Sequence, residues 1–160
     1  MTMDRTNAIG LDKAKTEELA KGLNDLLANY SVFYQNTRGY HWNVKGEQFF
    51  VLHEKFEELY NDQKLKIDEI AERILTLGHT PEHNYTKYVK VSQVKESGKV
   101  SDGNACVEGI LAAFKIIISM QRALLDLSGE IGDEGTNSLM SDYITEQEKL
   151  VWMYAAHQSK

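Results

Sequence analysis

Proline and cysteine are almost missing from this chain of 160 residues, which has one of each, Pro81 and Cys106. A lone cysteine cannot close an internal disulfide, so the fold is not stapled, and the usage fits a reducing compartment. No apolar run approaches the ~20 residues needed to cross a bilayer. The amino end, MTMDRTNAIG, lacks the basic start and apolar stretch of a secretory leader. The expected setting is the cytoplasm, away from membranes. Basic residues are also in deficit, 18 against 24 acidic, for a net charge of −6. General affinity for nucleic acid needs clustered Lys and Arg. Residues 1–11 hold one Asp and one Arg, and a possible patch at Lys13, Lys15 and Lys21 is interrupted by Glu17 and Glu18. The acidic surplus suits a protein that handles cations, and equally one that merely stays soluble.

Strand patterning is nearly absent too, and helical periodicity takes its place. From about Leu11 to Tyr40, Leu19, Leu23, Leu26, Leu27, Tyr30, Phe33 and Tyr34 recur at steps of three and four. A second run, about Gln48 to Leu77, carries Phe49, Leu52, Phe56, Tyr60, Ile67, Ile70 and Ile74 and ends at Gly78 with Pro81 beyond. Residues 78–102 lose the pattern, with SQVKES predicted as one short helical piece. Two further helices follow, over 101–130 and 132–158, with Gly129, Gly132 and Gly135 breaking the chain between them. The chain is long enough to bury roughly 70% of its unfolded surface as one domain, residues 1–160. Four long helices with one long crossover between the second and third predict an all-α, ferritin-like four-helix bundle.

The second helix places chemistry on one face. With His53 at zero and about 100° per residue, Phe49, Phe56, Tyr60, Ile67, Ile70 and Ile74 fall between about −20° and −100°, the expected core stripe. Glu57 falls near +40°, Asp68 near +60° and Glu72 near +100°. Imidazole and carboxylate are the donors a divalent transition metal takes. Yet Glu57 and Asp68 are eleven residues apart, about 16 Å along the axis, and ligands to one ion lie near 2 Å from it. The His53/Glu57 pair and the Asp68/Glu72 pair therefore cannot close on one ion within one chain. An antiparallel second copy, related by a two-fold axis near Asn61–Gln63, sets each pair against the other and makes two identical sites. His41, at the end of the first helix, is a candidate for the remaining nitrogen. Taken singly, each of these residues is equally well a solvated or structural side chain. Intrachain ferritin sites use Glu-x-x-His on each of two helices, and no acid here stands three residues before a histidine, which disfavours a site inside the bundle.

The run His41-Trp42-Asn43-Val44-Lys45-Gly46, then Leu52-His53-Glu54-Lys55-Phe56, then Asp68 and Ala71-Glu72-Arg73 with LGHTP following, resembles the Dps family, the miniferritins, over nearly the whole chain. The resemblance implies a hollow dodecamer with iron sites at its two-fold interfaces. There ferrous iron is oxidised, preferably by hydrogen peroxide and otherwise by dioxygen, and ferric mineral is stored inside against oxidative stress. By position it implies that His41 and His53 come from one subunit and Asp68 and Glu72 from its neighbour. Glu57 stands where the family usually has Asp, one methylene shorter. Trp42 resembles the family's aromatic residue beside the site, where shielding of oxidised intermediates and plain packing are both open roles. The acidic pore at the three-fold axes falls by position on Asp133, Glu134 and Asp142. For the first two, N-terminal acids favoured by the helix dipole explain the pattern equally well. Glu54 and Glu58 are candidates for the cavity wall, and Trp152 is expected in the core.

Rival readings remain at this level. A nucleoid-compacting DNA-binding protein with little ferroxidase activity is one, though its usual lysine-rich tail is not matched here. A catalytically silent helical adaptor or antigen on the same fold is another. Zinc or manganese takes the same donors as iron.

Overall fold

A computed structural model of the chain describes residues 5–159. The architecture is all-α: α1 (Lys13–Asn43), α2 (Phe49–Thr76), α3 (Tyr85–Val91), α4 (Gly103–Glu130) and α5 (Glu134–Gln158). Three of the four long helices start on an aspartate. Asp12, Asp102 and Asp133 each accept a backbone N–H three residues on, from Lys15, Ala105 and Thr136, satisfying donors that a helix start leaves open. Between α4 and α5 only Gly132 takes a left-handed backbone (φ 77°), which a residue with a Cβ rarely adopts. Gly129 and Gly135 lie inside the helices, so one glycine makes the break.

The four long helices bury their apolar stripes against one another, with Leu23, Leu26, Tyr30, Phe33, Phe56, Ile70, Ile74, Ile110 and Phe114 at the centre. On α2 the buried stripe runs through Leu52, Phe56, Leu59, Gln63, Lys66, Ile70 and Ile74, further from His53 than expected from sequence. Phe49, Tyr60 and Ile67 are only half-buried and form a shoulder between the core and the face carrying the candidate ligands. Trp152 is a correction: it is 66% exposed. The buried stripe of α5 is Thr136, Met140, Tyr143, Gln147 and Tyr154, and Trp152 lies about 160° around the helix from Tyr154. Among the described residues no helix is long and apolar enough to cross a membrane.

The crossover is tied to α1 by three asparagines. Asn24 donates to the Thr80 carbonyl and accepts from Glu82 N. Asn29 accepts from Gln93 N and Val94 N, both at 3.0 Å, and Asn36 accepts from Ser97 N at 2.8 Å. The short helix lies at α3, not at SQVKES, for this reason: backbone amides of that segment bond to asparagine side chains instead of to a helical turn. Cys106 is buried beneath the start of α4, and burial, with Asp102 nearby, pushes its thiol up to about 11.

Candidate metal centre

The last turn of α1 and the first turns of α2 are antiparallel neighbours, and this brings His41 and His53 together. Their rings stack with centroids 3.8 Å apart and planes 13° from parallel. Each ring bonds the backbone of the other: His41 Nδ1 to the His53 carbonyl at 2.6 Å, and His53 Nδ1 to the His41 carbonyl at 2.8 Å. A carbonyl only accepts, so both Nδ1 atoms carry the proton. In each neutral ring the lone pair is then on Nε2, the arrangement of a metal-binding histidine whose other nitrogen is held by a carbonyl. The bond from His53 also caps α1. The helical partner of the His41 carbonyl is Lys45 N, which instead donates to Ser101 O at 2.9 Å.

Aromatic rings hold the pair in place. Phe49 stacks on His53 with centroids 4.9 Å apart, and Tyr60 sets its edge against His41 at 5.3 Å. Tyr60 meets Tyr34 at 6.1 Å. Arg38 lies over both Tyr34 (5.3 Å) and Trp42 (4.8 Å), so Trp42 packs on a guanidinium at the surface. Sequence reasoning missed Phe49 and Tyr60 as supports because it assigned both to the core. Their positions four residues before and seven after His53 put them on its flank and were the available signal.

The carboxylates are arranged differently. Glu57, Asp68 and Glu72 are all exposed. Among the described residues no three of His, Cys, Asp and Glu gather closely enough to hold a metal ion. One chain therefore presents a histidine pair at one end of α2 and two carboxylates at the other. The face between them is not a normal wet face. Phe50 is 83% exposed, Leu65 64% and Leu75 58%, and these fall at about +60°, +120° and +40° on the scale that puts Glu57, Asp68 and Glu72 at +40° to +100°. Large apolar side chains sharing one exposed face mark a surface that associates.

The pore candidates separate. Asp133 is 2% exposed, accepts from Arg73 Nη2 at 2.7 Å, and caps α5 through Thr136 N and Thr136 Oγ1. It is a buried cap and ion-pair partner, not an open pore carboxylate; the helix start needed an acceptor and Arg73 a counter-charge. Glu134 and Asp142 are exposed on α5, eight residues and so about 12 Å apart. Glu58 pairs with Lys55 at 2.9 Å, and Glu54 is exposed.

Residues 20–160 match the model of the ferritin-like domain family. The chain is 44% identical over 151 residues to the DNA protection during starvation protein of Porphyromonas gingivalis, covering 94% of this chain and 95% of that one. Its fold superposes on a crystal structure of the Dps protein from Vibrio cholerae O1 with TM-score 0.96 and 55% identity, over 99% of this chain and 100% of that one. That protein is described as a member of a broad superfamily of ferritin-like diiron-carboxylate proteins. The Dps of Staphylococcus aureus is similar at TM-score 0.87 and 35% identity, over 90% and 97% of the two chains.

Proposed function

The chain belongs to the ferritin-like family, among its Dps proteins, and from that premise we propose that it is a ferroxidase of the cytoplasm, oxidising ferrous iron at sites completed by a second copy. The observation that carries this reading is the reciprocal bonding of His41 and His53, which uses Nδ1 of both stacked rings and leaves Nε2 of each as the nitrogen for a metal. A two-fold axis crossing α2 between Asp62 and Gln63 brings His53 and Glu57 of one copy opposite Glu72 and Asp68 of the other. The same axis sets Phe50 opposite Leu75 and Tyr60 opposite Leu65. Ligands and apolar residues thus obey one symmetry, which supports an interface holding two identical sites.

Iron is the substrate of this reaction. Neutral imidazole and carboxylate suit ferrous iron and leave it coordination positions open to an oxidant. Two ferrous ions lose two electrons. Hydrogen peroxide takes up those electrons with two protons, and its O–O bond breaks to give two waters, so no hydroxyl radical leaves. The imidazoles must be unprotonated at Nε2 to bind, so iron loading releases protons and weakens as pH falls. The face supplies anions in Glu57, Asp68 and Glu72. Glu57, longer than the usual Asp, reaches the metal from one methylene further along its side chain. Glu134 and Asp142 are the remaining candidates for drawing cations into a dodecameric shell where ferric mineral is stored.

Protection of DNA, named for several relatives, follows here from removing iron and peroxide rather than from coating the nucleic acid. The segment from Arg5 to Leu11 is folded back on the bundle: Lys13 N donates to Arg5 O, and Asn7 Nδ2 to Leu77 O. The charge of −6 opposes phosphate. The test is peroxide-driven oxidation of ferrous iron by the purified protein and by the double variant His41→Gly/His53→Gly. The variant is expected to lose the protein-dependent rate. An unchanged rate refutes the assignment.

A further inference from the structure

The middle of the bundle core is polar in a way the metal face does not explain. Tyr30 of α1 donates to Gln121 Oε1 of α4, Gln121 Nε2 donates to Gln147 Oε1 of α5 at 2.7 Å, and Gln147 Nε2 donates back to the Tyr30 hydroxyl. Three of the four long helices each give one member to this closed ring. The fourth helix, α2, gives Gln63, which is 1% exposed and whose Nε2 and Oε1 are both buried without a partner.

Packed pairs fix the height of Gln63. His41 lies beside His53 and Tyr34 beside Tyr60, so on the antiparallel α1 position 63 is level with Tyr30 and Ser31. Lys66 bonds Glu146, and Tyr143 bonds Glu69, so on the antiparallel α5 it is level with Lys149, two residues or about 3 Å along the axis from Gln147. Its own helix offers no relief. Leu59 and Ile70 are apolar, and the Lys66 ammonium is bonded to Asp62 and Glu146.

The chemistry of the layer selects its guest. Tyr30 and the three glutamines are all neutral, and burial holds the Tyr30 phenol far above its ordinary range. The neighbouring carboxylates are already taken, Asp62 and Glu146 by Lys66 and Glu69 by Tyr143, so the layer favours a neutral guest. The ring keeps unused capacity: one N–H on each amide of Gln121 and Gln147, and a lone pair on each of their carbonyls. A water molecule, with two protons and two lone pairs, matches these groups on one side and the Gln63 amide on the other. We propose that Gln63 and the Tyr30–Gln121–Gln147 ring bind one structural water that joins α2 to a polar layer spanning all four long helices. The layer sets axial register, because sliding α2 by one turn carries Gln63 out of it into apolar surroundings. His53 lies ten residues before Gln63 on that helix and Glu72 nine after, so the water site positions the candidate ligands without touching iron.

A crystal structure of the full-length protein at a resolution that shows ordered water tests this. The expected result is a density peak within hydrogen-bond distance of Gln63 Nε2 or Oε1 and of Gln121 or Gln147. Gln63→Met keeps length and volume and removes the amide. It is expected to fold, lose the peak and melt several degrees below the wild type. No peak in the wild type, a Gln63 amide bonded directly to protein atoms, or a Gln63→Met protein melting at or above the wild-type temperature each overturns the proposal.

Discussion

Replacing His53 separates the structural nitrogen from the chemical one. His53→Ala removes the Nδ1–H that caps the His41 carbonyl and the ring that stacks between Phe49 and His41. An orphaned, largely buried acceptor costs about 1–3 kcal/mol, and the lost ring contacts about 0.5–1.5 kcal/mol more. The sum is roughly 2–4 kcal/mol, or a melting temperature lower by roughly 5–15 °C for a domain of this size. His53→Asn places an amide N–H where Nδ1–H was and offers nothing at Nε2. Most of the carbonyl term returns, so its melting temperature is expected within a few degrees of the wild type. Ferrous oxidation is expected to fall more than about tenfold in both variants, since losing even an outer partner of a metal ligand costs 10–100-fold. Thermal unfolding followed by circular dichroism, with stopped-flow iron oxidation on the same samples, reads both quantities. A His53→Asn protein that oxidises iron at the wild-type rate refutes the reasoning, because the only nitrogen it lacks is the one assigned to iron.

Leu65→Asp places a charge near the proposed two-fold axis, beside Tyr60 of the other copy, and touches no ligand. Gel filtration is expected to show smaller species and the oxidation rate to drop with dilution; an intact assembly with full rate contradicts an interface on this face. Asn29→Ala removes the acceptor of Gln93 N and Val94 N, costing about 2–4 kcal/mol through the unsatisfied amides. Hydrogen exchange is expected to rise across residues 92–97 more than elsewhere, and uniform protection there counts against the asparagine clamp. Cys106, its thiol raised to about 11 by burial, holds about one thiolate in a thousand at pH 8. It is expected to ignore a thiol reagent until the protein is unfolded, and rapid labelling of the native protein sinks that.

The helices were legible because their signals are local. Steps of three and four placed α1, α2, α4 and α5 to within three residues at each end, and the eleven-residue gap between Glu57 and Asp68 sets their separation along the helix. What failed was long-range. SQVKES has helical composition, but its backbone amides are claimed by Asn29 and Asn36, some 60 residues away. Trp152 is apolar on a helix whose buried stripe is polar at Thr136 and Gln147, so its residue type alone misplaced it. Asp133 has the sequence of a helix-start acid and of a pore acid alike; only the arrival of Arg73 from α2 distinguishes them. The reciprocal histidine–carbonyl bonds depend on the turn at Gly46 (φ 108°) and on Lys45 bonding to Ser101, neither of which periodicity encodes.

The interior and the surface of the bundle divide the chemistry between them. A metal site inside a bundle needs inward carboxylates to neutralise the ion, as in ferritin-like folds that carry a Glu on each of two helices and a Glu-x-x-His pair on each of the others. Here the mid-level of the core holds Tyr30, Gln121, Gln147 and Gln63. Among the described residues the one fully buried carboxylate, Asp133, sits at the end of α5 against Arg73. A divalent ion moved from water into that neutral layer meets dipoles, while the neighbouring Asp62 and Glu146 are already paired with Lys66, and its desolvation, several kcal/mol at least, is not repaid. The carboxylates proposed to neutralise an ion, Asp68 and Glu72, project from the far end of α2, and no three candidate ligands gather within one copy among the described residues. With its buried charges, Lys66 and Asp133, already paired, the bundle interior needs no metal to fold, and on the proposed reading iron binding belongs to two chains together.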